Sequence, residues 1–82
     1  MFQIFTEDKN RNAVIKVLTS HLKNYTLLFG DGMWRGEVEP CIVVQFTSDL
    51  LTAKWIAKDL KELNSQKSVL LVEHQSNEVL VN

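Results

Sequence analysis

The spacing of apolar positions changes several times along the chain, and each change marks an element. Phe2-Gln3-Ile4-Phe5 has the composition of a short first strand. Thr6 then offers a helix cap, and Glu7 and Asp8 place negative charge where a helix dipole favours it. From Lys9 to Lys23 the residues Val14, Ile15, Leu18 and Leu22 recur at intervals of three and four, which predicts a helix with one apolar face. Lys23 and Asn24 suit its end.

Tyr25 to Phe29 is again apolar, and Gly30-Asp31-Gly32 follows. This run and Cys41 to Phe46 predict strands two and three, joined by a hairpin whose bend lies within Arg35 to Pro40. Gly30 and Gly32 suggest a bulge or a close backbone approach. Pro40 fits the first residue of a strand and not its middle. Thr47-Ser48-Asp49 caps a second helix, Leu50 to Asn64, with Ala53, Ile56, Ala57, Leu60 and Leu63 on its inner stripe. After a turn at Ser65 to Lys67, Ser68 to Glu73 forms the fourth strand. Gln75 to Glu78 has turn chemistry, and Val79-Leu80-Val81 allows a short fifth strand at the edge. The order strand, helix, strand, strand, helix, strand is that of the split βαβ unit. A single domain over residues 1–82 is expected, of class α+β: a ferredoxin-like βαββαβ two-layer sandwich whose antiparallel sheet carries both helices on one face.

The other face then matters. Ile42, Val44 and Phe46 point one way while Cys41 and Val43 point the other, and Leu70 and Val72 oppose Val69 and Leu71. Helices can cover only one side of each pair, and every such side chain left wet forgoes about 1.5–3 kcal/mol. A covering partner is expected, foremost a second copy of the chain in a homo-oligomer, or else a partner protein or a C-terminal flap. Val43, Val69 and Leu71 are the candidate contacts, with Leu51 and Trp55 from the margin of helix two, where tryptophan would lie flat on the domain or anchor an interface.

Composition narrows the setting. The chain of 82 residues is 45% hydrophobic, which fits a folded domain, and nine Lys plus Arg against ten Asp plus Glu give a formal charge of −1. Nucleic-acid binding normally needs a positive surplus, so it is not expected. Cys41 is the only cysteine and cannot form an internal disulfide, which points to a reducing, cytoplasmic setting. The first eight residues show no secretory pattern, and no run is long and apolar enough to span a bilayer.

The least ordinary stretch runs from Gly30 to Pro40, where three glycines, Trp34, Arg35, Glu37 and Glu39 converge. Tryptophan offers a flat face for a base or a cation, and arginine a planar fork for phosphate or carboxylate. Glu39 would accept from a sugar hydroxyl or a base amino group, or hold Arg35 in place. The plain alternative is a twisted hairpin with a tryptophan cover and a surface ion pair, contributing about 0–1 kcal/mol. No phosphate loop is present. The pattern Gly32-x-Trp34-Arg35-Gly36-x-x-Glu39-Pro40, with the later Gln66-x-Ser68-Val69-Leu70-Leu71-Val72, resembles a loose group of small bacterial and phage-encoded domains without an assigned activity or cofactor. The resemblance implies that the hairpin and Gln66 belong to one recurring arrangement, a ligand or partner site, and that a phage or prophage is the source.

Catalytic and metal constellations are thin. Nothing in the spacing ties His21 or His74 to Cys41, and one Cys with two distant His lacks a metal-ligand pattern. Strand three does not carry the aromatic, basic signature of an RNA-recognition domain. Acylphosphatase-like enzymes need an anion loop after strand one, and metal chaperones a cysteine pair there; Thr6-Glu7-Asp8-Lys9 provides neither. Enzymatic activity and a cofactor are therefore not expected. Two functions stay open: a small-molecule binder that sequesters a host nucleotide through Trp34, Arg35, Gly36, Glu39, Gln66 and His74, and a protein-interaction module that inhibits a host protein through the free sheet face and Trp55.

Overall fold

Among the described residues, two helices and four strands each carry at least one apolar side, and the fold is the arrangement that brings one such side of each together. The structure, a computed structural model, describes residues 1–66 and 69–74. Its elements are β1 (Phe2–Glu7), α1 (Arg11–His21), β2 (Thr26–Trp34), β3 (Glu37–Phe46), α2 (Leu50–Leu63) and β4 (Leu70–Glu73). The sheet order is β2-β3-β1-β4 with every neighbouring pair antiparallel. This is the ferredoxin-like α+β sandwich that the sequence predicts.

The core lies between the helices and one face of the sheet. Ile4 of β1, Ile42 and Val44 of β3, Val14 and Leu18 of α1, and Ala53, Ile56 and Leu60 of α2 are fully buried. Phe2 and Phe46 oppose each other in register and stack at 5.7 Å. Between the helices, His21 Nε2 meets Asp59 Oδ2 at 2.9 Å. Helix α2 starts where the sequence predicts, because Asp49 accepts from the Thr52 N–H at 3.1 Å.

Several boundaries differ from the sequence reading. Thr6 is not a cap: β1 continues through Glu7 because β3 is long enough to pair with it as far as Cys41. Helix α1 therefore starts at Arg11, behind Asn10 in the left-handed conformation at φ 50, a region asparagine tolerates, and it ends at His21 rather than Lys23. The carboxylate of Asp8 grips the Arg11 guanidinium through Oδ1 and Oδ2, which holds the tight connection and keeps the Asp8 carboxyl below its ordinary range. On α1, Val17 joins the core margin while Ile15 is only half-buried.

No bulge interrupts Gly30-Asp31-Gly32; the β2–β3 register is continuous from Thr26↔Gln45 to Trp34↔Glu37. Pro40 lies inside β3, contrary to expectation. Its carbonyl accepts from the Asp8 N–H at 3.0 Å, so its backbone polar edge faces the end of β1 and its missing N–H costs no bond to β2. In β4, Leu71 pairs with Ile4, which turns Val69 and Leu71 toward the helices and against the core. These two are not contacts of the open face; Leu70 and Val72 are. Ser68, the turn at Gln75–Glu78 and the fifth strand at Val79–Val81 lie outside the described residues.

Candidate functional site

The sheet face opposite the helices is laid out in rows. Leu28, Val43, Phe5 and Leu70 are in register across all four strands and make one apolar row. Leu28 and Leu70 at its two ends are 48% and 58% exposed. On one side of it runs the mainly polar row Thr26, Gln45, Gln3 and Val72. On the other side come Gly30, Cys41 and Glu7, and then Gly32 with Glu39. The strand alternation that puts Ile4, Ile42 and Val44 inside puts these residues outside.

Beyond the end of β1 the β2–β3 hairpin projects, and its bend is the two-residue turn Arg35-Gly36. Both residues have positive φ, 50 and 81, the signature of a type I′ turn. Glycine meets that demand without strain, whereas arginine does not. Gly32 leaves its strand bare: a Cβ there would stand 3.8 Å from Cys41 Cβ and from the Glu39 carbonyl. The result is a hollow of about 690 Å³ where the hairpin leaves the sheet. Its walls include Arg35, Glu39, Glu7, Cys41 and Gln66, with Phe5, Met33 and Leu70 supplying apolar surface. Glu7 holds Lys9 at 2.8 Å. Burial pushes the Cys41 thiol up, helped by the Asp8 charge and opposed by the backbone at Thr6, which lowers its share of thiolate. A second hollow, of about 720 Å³, lies at the far end between Tyr25, Gln45 and the end of α1, and none of the candidate site residues lines it.

Gln66 is fixed by a polar knot under the hollow. The hydroxyl of Thr6, itself buried, donates to Gln66 Oε1. Asn64, also buried, donates from Nδ2 to Thr6 Oγ1 at 3.1 Å, to the Glu7 carbonyl at 3.3 Å and to Gln66 Oε1 at 3.4 Å. The chain leaving α2 is thereby tied to the end of β1.

Of the six residues predicted for a ligand, the structure brings Arg35, Glu39 and Gln66 together around one hollow. Gly36 completes the turn beside it, and Trp34 closes β2 opposite Glu37, its side chain lying outside what the structure describes. His74 stands apart. Because β4 runs antiparallel to β1, His74 lies beside Met1 at the opposite end, where its N–H reaches the Met1 carbonyl at 2.8 Å and its Nε2 meets Gln3 Oε1 at 2.7 Å. Phe5, Glu7, Cys41 and Leu70 are wall residues that the sequence reading missed; their shared alternation with Glu39 and Val43 is the signal that would have found them. Leu51 and Trp55, 65% and 51% exposed, lie on the outside of α2, where the Lys58 ammonium sits 5.4 Å from the Trp55 ring.

Among the described residues no helix is long and apolar enough to cross a membrane, and no group of three or more His, Cys, Asp or Glu is placed to hold a metal ion. Compared with known proteins, the chain matches no family model and no curated sequence.

Proposed function

We propose that this domain is a non-enzymatic binding protein for a small nucleobase-bearing molecule, a mono- or cyclic nucleotide, held in the hollow beside the Arg35-Gly36 turn. The observation that carries this reading is that Arg35 and Glu39, from the hairpin, and Gln66, from beyond α2, line the same space. Its volume of about 690 Å³ falls in the range of small-ligand sites, which are mostly apolar with a few placed polar groups. Phe5 and Leu70 offer surface to a base, Glu39 accepts from its amino group or from a sugar hydroxyl, and the Arg35 guanidinium meets a phosphate. With the carboxylates of Glu7 and Glu39 in the same wall, a single phosphate is favoured over a triphosphate. A binder of this kind acts by holding a nucleotide signal away from its receptor, which suits the phage-encoded origin that the sequence resemblance implies.

Thermal-shift and calorimetric titration with mono-, di- and cyclic nucleotides tests the proposal. A ligand at a hundred times its Kd stabilises the fold by about 2.7 kcal/mol, readily seen as a higher Tm. Arg35→Ala with Glu39→Ala should abolish that rise while leaving the far-UV circular dichroism unchanged. If no nucleotide shifts Tm at concentrations on the order of millimolar, where a Kd of that order would still register, the reading fails.

A second reading, inhibition of a host protein, draws on Leu50, Leu51 and Trp55, three exposed apolar side chains grouped on α2. Under it, Trp55→Ala abolishes capture of one defined host protein and Arg35→Ala does not.

A further inference from the structure

The apolar row Leu28–Val43–Phe5–Leu70 crosses the four described strands and has mainly polar or small residues on both sides, Val72 excepted. An apolar centre with a polar rim is the layout of an association surface. From strand lengths and spacings, this face measures on the order of 500 Å² in flat projection. Side-chain relief brings it to the scale of a specific interface, which buries roughly 600–1,000 Å² on each partner. We propose that a second copy of the chain covers this face, row upon row, about a two-fold axis parallel to the row.

The choice of axis follows from the flanking rows. A two-fold parallel to the strands would set Glu7 and Glu39 against the same acidic side of the other copy, where the Lys9 ammonium is already held by Glu7 at 2.8 Å. A two-fold parallel to the row exchanges the two sides. Gln3 then lies over Glu7 of the second copy, an amide donor over a carboxylate, and Gln45 lies over Cys41. Leu28 meets its own equivalent, as does Leu70.

The same rotation gives His74 a place. It lies about two rows from the apolar row on the glutamine side, and Glu39 lies two rows away on the other. The second copy therefore brings its His74 over the Gln66 side of the hollow. Resting on the ligand reading above, this makes the hollow a site shared between two chains: Arg35, Glu39 and Gln66 from one, His74 from the other.

Sedimentation of the intact chain tests the contact. The expected mass is twice the 9.4 kDa of one chain. Leu28→Lys and Leu28→Glu, both at a side chain exposed in the monomer, should each give a folded monomer, because like charges meet across the axis. Mixing the two variants in equal amounts should restore the dimer. His74→Ala should keep the dimer and lower nucleotide affinity about tenfold, the loss of one charge-assisted or strong hydrogen bond. A wild-type chain still monomeric at about 100 μM, well above the Kd of standard interfaces, overturns the proposal and leaves the face to an unlike partner. A mixture that stays monomeric overturns the axis and with it the placement of His74. A dimer that binds no nucleotide supports the second copy and overturns the ligand reading alone.

Discussion

Replacing Thr6 by valine isolates the polar knot from everything else that holds the domain together. Thr6 is 2% exposed, and its hydroxyl donates to Gln66 Oε1 while accepting from Asn64 Nδ2 at 3.1 Å. Valine has nearly the same volume, so no cavity opens. No neighbour is left bare either: Asn64 Nδ2 keeps the Glu7 carbonyl at 3.3 Å, and Gln66 Oε1 keeps the Glu7 N–H at 3.4 Å. The change therefore removes two hydrogen bonds at a net of about 1 kcal/mol each and adds one buried methyl worth about 0.8 kcal/mol. A net loss of about 1 kcal/mol is expected. With a urea m-value of about 1 kcal/mol/M, the midpoint should fall by roughly 1 M at unchanged m. Thr6→Ser keeps both bonds and loses only the methyl, so it reports on packing alone. A valine variant as stable as wild type, or more so, would refute the view that the hydroxyl network secures the junction of β1 and α2. Because Gln66 is held by that hydroxyl, the valine variant should also bind nucleotide more weakly.

Three further outcomes follow from the same structure. Asp8 is held below the ordinary carboxylate value of 3.8 by its hydrogen bonds with Arg11, and Asp49 by the hydroxyl and N–H of Thr52. Both contribute stability that is fully present above the unfolded value and lost as pH falls through the folded one, so Tm should be flat near neutrality and drop below about pH 4. Asp49→Asn retains an acceptor at the cap without the titrating charge, and its Tm should fall less steeply in acid, as measured by differential scanning calorimetry. Gly36→Ala, at φ 81, should destabilise the hairpin by about 1 kcal/mol in urea titration. Cys41, with its thiol pushed up by burial, should react with iodoacetamide at neutral pH more slowly than free cysteine; a rate equal to the free thiol would contradict the burial.

What the sequence made legible was what local chemistry decides. Helix α2 is marked by Asp49 at its start and by Ala53, Ile56 and Leu60 at helical spacing, and all of these signals lie within one segment. Thr6-Glu7-Asp8 carries equally good helix-start chemistry, yet it lies in a strand and its exit, because β3 continues to Cys41 and offers Glu7 a partner. Tertiary pairing overrode the local preference there. Strand β4 shows a different limit. Val69, Leu70, Leu71 and Val72 are apolar in both directions, and only the pairing of Leu71 with Ile4 decides which pair faces the core. The site divides in the same way. Arg35 and Glu39 are conspicuous beside glycines, whereas Phe5 and Cys41 have the pattern of ordinary strand residues, and only the folded sheet sets them on the wall of the same hollow as Glu39.

The turn at the tip of the hairpin has an evolutionary corollary. Asparagine or glycine is the natural occupant of a left-handed turn position, and arginine there is strained by roughly 1–2 kcal/mol. Selection for foldability alone would remove it in one step, so Arg35→Asn should raise the melting temperature and, if the guanidinium earns its place by meeting a phosphate, should forfeit binding in the same stroke. A variant that melts higher and still captures its ligand would show that this arginine is an accident of descent.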